Sequence, residues 1–350
     1  MKHEIRNAAN PRDAETQFNM GLKYQKGEGV PRDLPQAVAW YRKAAEQGLS
    51  GAQTNLGAIY YSGEGVTRDL AQAAILFRKA AEQGDAAAQC NLARMFFRGE
   101  GVTRDLRQAV AWYRKAAEQG HAAAQVVLGS MYADGVGITQ DQEEAAKWYF
   151  RAAEQNNAWA QFNLGHALCE GSGVARDAAQ GVVWFRMAAR QGHVGAQCNL
   201  GLKYYEGVGV TQDLHQAAAW LHKAAEQGDA LAQTTLGVMY SGGFGVAENP
   251  VQAAEWFHKA AEQGRVMAEF ELGVMYAKGN GVPQDLTSAF KWLLKAGDQG
   301  HGEAQLYLGR MLQYGFGVTQ DSGQAAEWYR KAAEQGYANP PGWSPKGTGS

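Results

Sequence analysis

Apolar and polar residues along this chain recur at helical spacing, and the whole pattern returns every 36 residues, nine times. In the second unit Ala52, Leu56, Gly57 and Tyr60 form one apolar stripe, which predicts a first helix. The Leu56 position is filled by Met20, Leu92, Leu128, Leu164, Leu200, Leu236, Leu272 and Leu308 in the other units. Gly57 and its counterparts sit mid-helix, where Gly costs about 1 kcal/mol against Ala. Their repetition predicts that a second helix presses close at that point. Gly63-Glu64-Gly65-Val66 then ends the helix, and Gly63 suits a left-handed C′ position. The same G-x-G-[VI] turn closes the first helix of every unit. It follows a helix, and no G-K-[ST] comes after it, so it reads as a turn and not as a phosphate loop.

In six units the second helix opens on an acid three residues before a Gln, as in Asp33 and Gln36, and in the fourth Asp141 precedes Glu144, which predicts an N-cap with a capping box. Asn249-Pro250 replaces the acid once. Ala37, Trp40, Tyr41 and Ala44 build the apolar face of this helix. Trp40 recurs as Trp112, Trp148, Trp184, Trp220, Trp256, Trp292 and Trp328, and Leu76 takes its place in the second unit. Gly48 and its counterparts close the helix, with Asn156 substituting once. One further column is nearly constant: Gln17, Gln53, Gln89, Gln125, Gln161, Gln197, Gln233 and Gln305, with Glu269 in the remaining slot.

A repeat of this kind cannot bury its apolar face alone, so each unit must stack on the next. The expectation is an all-α solenoid of eighteen antiparallel helices, with first helices lining an inner face and second helices an outer one. Residues 1–12 are read as a lead, 13–336 as nine repeats forming one solenoid domain, and 337–350 as a loose tail rich in Pro and Gly.

Composition narrows the function. Lys and Arg total 33 against 35 Asp and Glu, and this near-neutral balance argues against nucleic acid as a partner. No apolar run approaches the ~20 residues of a membrane helix, so no membrane insertion is expected. No signal peptide is visible after Met1, which predicts a cytoplasmic protein, or a periplasmic one if a leader has been removed. Cys90, Cys169 and Cys198 are scattered and odd in number, so they read as reduced, buried or half-buried small residues. Metal and catalytic readings fail on spacing. His222 and His258 share a register on neighbouring units, but packed helices lie roughly 8–10 Å apart and zinc ligands must lie about 2 Å from the ion. No catalytic residue, metal site or cofactor is implied.

The unit A-x-x-x-L-G-x-x-Y-x-x-G-x-G-V-x-x-D-x-x-x-A-x-x-W-[YF]-x-K-A-A-E-Q-G resembles the Sel-1-like repeat family, a relative of the tetratricopeptide repeats. The resemblance covers about nine-tenths of the chain. It implies a right-handed α/α superhelix of about nine 36-residue helix–turn–helix repeats. It also implies a non-catalytic scaffold or adaptor that holds a protein or peptide partner in a concave groove. Many members are bacterial, with roles in signalling, virulence or toxin neutralisation. A bacterial regulator is therefore the first expectation, and an immunity protein against a secreted toxin is the alternative. A cysteine-rich branch of the family ties its helices with disulfides at the Gln53-type and Ala45-type positions. This chain has Gln and Ala there, so the penicillin-binding hydrolase activity proposed for that branch gains no support.

If tetratricopeptide geometry carries over, the inner face is lined by positions one, two, five, eight and nine after the register Gln. The second of these reads Asn19, Asn55, Asn91, Asn163 and Asn199 in five units. A carboxamide can donate to and accept from a bound peptide backbone. Arg94, Phe97 and Arg98 form a basic and aromatic spot in the third unit, and Tyr61 and Tyr205 occupy the Phe97 register. Arg and aromatic residues are the usual anchors of interfaces. The middle of the chain is the least regular: Trp159 stands outside the Trp40 register, and His166 breaks its column nearby. These twelve residues are the candidate partner-binding set.

Overall fold

In the computed structural model, residues 12–337 are described. Apart from Arg12 and Tyr337, the expected lead and tail lie outside the described residues. Among those residues there are eighteen helices of 13 residues each and no strand. The chain divides into two compact units, 1–176 and 177–350.

Unit 1 holds α1 (Ala14–Lys26), α2 (Leu34–Glu46), α3 (Ser50–Ser62), α4 (Leu70–Glu82), α5 (Ala86–Arg98), α6 (Leu106–Glu118), α7 (Ala122–Asp134), α8 (Gln142–Glu154) and α9 (Ala158–Glu170). Unit 2 holds α10 (Ala178–Arg190), α11 (Val194–Glu206), α12 (Leu214–Glu226), α13 (Ala230–Gly242), α14 (Pro250–Glu262), α15 (Val266–Lys278), α16 (Leu286–Asp298), α17 (Gly302–Tyr314) and α18 (Ser322–Glu334). Within each unit a helix packs on the one before it and the one after it, the solenoid arrangement that the 36-residue period requires.

The local signals act as the sequence predicts. Gly63 follows α3 at φ 75°, and its N–H bonds the Ile59 carbonyl. Asn156 takes the Gly48 position at φ 62°, the one positive-φ residue besides glycine among the described residues. Asp33 caps α2, its carboxylate accepting from the Gln36 N–H at 3.0 Å. The capping box is incomplete, however. The Asp33 N–H that a Gln36 side chain would serve instead donates to the Tyr24 carbonyl in α1, and Asp69, Asp105 and Asp141 repeat this across their hairpins. The turn is thus closed by backbone rather than by the reciprocal side chain.

The mid-helix glycines mark close approach, as expected, and the group that presses on them is the residue after the Trp column. A Cβ on Gly21 would lie 2.6 Å from the Tyr41 ring, and one on Gly129 would lie 2.7 Å from Tyr149. Tyr41, Phe77, Phe185 and Phe257 are accordingly among the most buried large side chains. The Trp column is mostly half-buried at the edge of the core, with Trp148 and Trp328 buried.

The near-constant Gln column is an internal tie. Gln89 is buried in α5; its Nε2 donates to the Ala81 carbonyl of α4 at 3.1 Å, and its Oε1 accepts from Gln119 Nε2 at 2.8 Å. One side chain thereby links a helix end in the preceding repeat to the C-cap of its own second helix. The same pair of bonds recurs at Gln53, Gln125, Gln197, Gln233 and Gln305. A second tie crosses between repeats outside this column. Arg42 donates to the Tyr60 hydroxyl at 2.8 Å, Arg114 to Tyr132 at 2.9 Å, and Arg186 to Tyr204 at 2.9 Å. Phe150 and Leu168 stand at the equivalent positions in the fourth and fifth repeats, and Leu294 and Leu312 in the eighth and ninth, so an apolar pair replaces the polar one at both ends together.

Candidate partner-binding face

The exposed side of each first helix is set by helical spacing. On α5 it is Ala87, Asn91, Arg94 and Arg98, at i, i+4, i+7 and i+11; on α9 it is Trp159, Asn163, His166 and Glu170. Trp159 and His166, which break their columns in sequence, therefore share one stripe with an Asn of the candidate row. Trp159 is 63% exposed, the most exposed large apolar side chain among the described residues. Its register lies two residues before the Gln, outside the inner-face positions expected from tetratricopeptide geometry. Stepping by 36 from Trp159 would have found two more exposed residues of this register in unit 2, Leu231 and Met267.

Asn19 in α1 is exposed, while Asn55, Asn91, Asn163 and, in unit 2, Asn199 are half-buried. Two of them are already engaged. Asn55 meets the Tyr41 phenol, whose O–H donates to Gln25 at 2.6 Å. Asn91 Oδ1 accepts from Arg94 Nη2 at 3.0 Å. Tyr61 and Phe97 in unit 1 and Tyr205 in unit 2 turn part of their rings into the core, so only their remaining edges can meet a partner.

The densest chemistry gathers around Arg94. Its guanidinium lies 4.8 Å from the centre of the Tyr61 ring, and its Nε is buried without a hydrogen-bond partner. Tyr61 donates its hydroxyl to Glu100, and Arg98 lies 3.9 Å from the same carboxylate. Arg68 also reaches the Tyr61 ring, at 5.7 Å, while its Nε bonds the Tyr61 carbonyl. Burial pushes the Tyr113 phenol and the Cys90 thiol up, with Arg94 only partly opposing each shift. Neither group supplies a negative charge to Arg94, whereas Arg98 has the Glu100 carboxylate beside it. Arg94 is a preorganised cation: stacked, hydrogen-bonded and without a carboxylate partner.

Other arginines that look basic in sequence are spoken for. Arg32, Arg104 and Arg176 each donate Nε to a carbonyl seven residues earlier, at the end of the preceding first helix. No disulfide joins the cysteines; Cys169 and Cys198 are buried and Cys90 half-buried. Among the described residues no three His, Cys, Asp or Glu side chains converge as a metal site would need. No helix among them is long and apolar enough to cross a membrane.

Comparison with known proteins agrees with this architecture. The Sel1 repeat model matches nine successive segments, from 14–49 to 302–337. The chain is similar to a protective antigen with an SLR fold present in uropathogenic Escherichia coli strains. The two share 37% identity over 91% of this chain and 76% of that one, with a TM-score of 0.67. It is also similar to a Sel1 repeat protein from Oxalobacter formigenes, at 35% identity over 85% of this chain and 87% of that one, with a TM-score of 0.65. An immunity protein from Pseudomonas aeruginosa is far more distant, at 19% identity over 61% of this chain and 81% of that one; its TM-score of 0.35 carries no functional argument. No curated protein matches the chain. Sel1 repeat proteins generally mediate protein–protein interaction. With nine matched repeats spanning the described helices, the chain belongs to the Sel1 repeat family.

Proposed function

We propose that the chain is a non-catalytic scaffold or adaptor that holds a partner protein along the exposed stripe of its first helices, as a bacterial regulator would. The observation that carries the reading is Arg94, a half-buried cation fixed by Tyr61 and Asn91 and lacking any carboxylate of its own. With Arg98 beside it, the α5 stripe suits an acidic stretch of the partner. The Asn row would hold the partner's backbone, and Trp159 with Asn163 and His166 would add an aromatic anchor on α9.

Affinity capture from the native host, read by mass spectrometry, identifies the partner; a toxin among the captured proteins would assign the immunity role. Calorimetry with that partner then tests the face. Asn55→Ala with Asn91→Ala should weaken binding by about 1–3 kcal/mol for each backbone group left unpaired. Arg94→Ala with Arg98→Ala should weaken it most at low salt. Affinity unchanged in both double variants and in Trp159→Ala would refute this surface.

A further inference from the structure

The second-helix Trp column has one gap. Leu76 stands in α4 where eight other repeats place Trp. In seven of those eight, the cation three residues later lies over the indole face, from 4.1 Å at Lys259 and Trp256 to 4.5 Å at Lys43 and Trp40. Each of these indoles comes from the second helix of its repeat. Where the ring contacts are resolved, it abuts the second helix of the repeat before. His222 meets Trp256 edge-on with centroids 5.5 Å apart, and the same His222 bonds the Tyr240 hydroxyl at 2.8 Å. Arg42, Tyr60 and Leu76 stand in the registers of His222, Tyr240 and Trp256. The wall is built in the same way, with Arg42 donating to Tyr60 at 2.8 Å, but the ring is missing. In its place lies a cavity of ≈ 240 Å³ whose lining includes Leu56, Tyr60, Leu76, Lys79, Arg42 and Glu46.

We propose that this cavity receives an aromatic side chain, an indole by preference, from a partner protein. The ring would lie where the other repeats keep their own tryptophan. Lys79 holds the register of the stacked lysines and has neither an ion pair nor a ring beneath it, so its ammonium is available to the incoming π face. Leu56, Leu76 and the Tyr60 ring supply the apolar floor. The Glu46 carboxylate offers an acceptor for an indole N–H. The cavity is smaller than the ~300–1,000 Å³ of drug-sized ligand sites, which favours one side chain over a whole cofactor. Arg42, Glu46 and Lys79 are exposed, so the mouth opens to solvent and a ring can enter while its backbone stays outside. This site lies between α2 and α4 with Leu56 and Tyr60 of α3 beneath, and it does not use the exposed stripe of the first helices.

Saturation-transfer NMR and calorimetry on the full chain test the proposal with three probes: acetyl-Gly-Trp-Gly-amide, N-acetyltryptophanamide and free indole. The tripeptide should bind, with saturation strongest on its ring protons. Leu76→Trp should lower its affinity more than tenfold while raising the thermal midpoint, because it completes the column. Lys79→Ala should lower the affinity about two- to fivefold with an unchanged circular dichroism spectrum, the loss of one exposed cation–π contact. Three results would overturn the proposal. They are no tripeptide binding at millimolar concentration, affinity unaltered in both variants, or binding of indole with exclusion of the tripeptide, which would make the cavity a small-molecule site.

Discussion

Changing Glu269 to Gln should stabilise the protein, with a gain that depends on pH. In seven repeats the register Gln donates to a helix-end carbonyl eight residues earlier, at 3.0–3.3 Å. Glu269 fills this slot with only 3% of its surface exposed. It still accepts from Gln299 at 2.7 Å, but an ionised carboxylate has no proton to give the Ala261 carbonyl, which is left with backbone donors, Gly264 and the Gln263 cap. The charge also faces the negative end of α14. Burial pushes the Glu269 carboxyl up, and Lys295 and Gln299 oppose the shift only in part. Glu269→Gln keeps the acceptor and restores the donor. One net hydrogen bond is worth about 0.5–1.5 kcal/mol, and removing a buried charge adds to it. Each kcal/mol corresponds to about 2–4 °C for a unit of this size.

Since the folded carboxyl holds its proton to higher pH than the unfolded one, its penalty is absent below the ordinary carboxylate range and grows as pH rises through the folded value. The gain should therefore be full at neutral pH and shrink toward pH 4. Thermal melts of both proteins across that range, read as a difference so that shared groups cancel, make the measurement. A variant no more stable at pH 7, or a gain equal at pH 7 and pH 4, would refute the argument. Gln89→Glu should show the opposite sign.

Trp148→Ala should cost about 3–5 kcal/mol by chemical denaturation, as a buried large-to-small change, and a loss below 1 kcal/mol would place Trp148 outside the core. Gly129→Ala gains helix propensity, but its Cβ would lie 2.7 Å from the Tyr149 ring, so a net loss of about 1–3 kcal/mol is expected; a gain would mean that Tyr149 yields freely. His193 and His301 cap α11 and α17 by accepting at Nδ1 from Ala196 and Ala304, and burial lowers both imidazoles, as it does His222. The unfolded chain takes these protons first, so stability should be full above about pH 6.5 and fall as pH drops through that value. A His193→Asn, His301→Asn variant, which copies the Asn157 cap of α9, should lose less between pH 7.5 and pH 5.5 in thermal melts; equal losses would absolve the two caps.

The periodic pattern alone determined the elements. Asp caps, Gly stops and a fixed 36-residue step are local signals, each acting within one helix turn, and they place eighteen helices and the close approach at Gly21 and Gly129. Which columns face one another was beyond that reading. Every column stands at a fixed offset from every other, so the period cannot choose between them. The bond from Gln89 to Gln119 spans 30 residues, and that from Arg42 to Tyr60 spans 18; both exist only because stacking brings those faces together. Arg42 is an inter-repeat tie only through Tyr60 of the next repeat, while Arg94 shows as a preorganised cation only once Tyr61 arrives from the preceding repeat. The candidate Asn row was legible as a column, but its engagement with Tyr41 and Arg94 was not. Leu76 was visible in the sequence as one exception among nine. That the exception leaves an open cavity under Lys79 was decided by packing, because Arg42 and Tyr60 hold the wall in place whether or not a ring fills it.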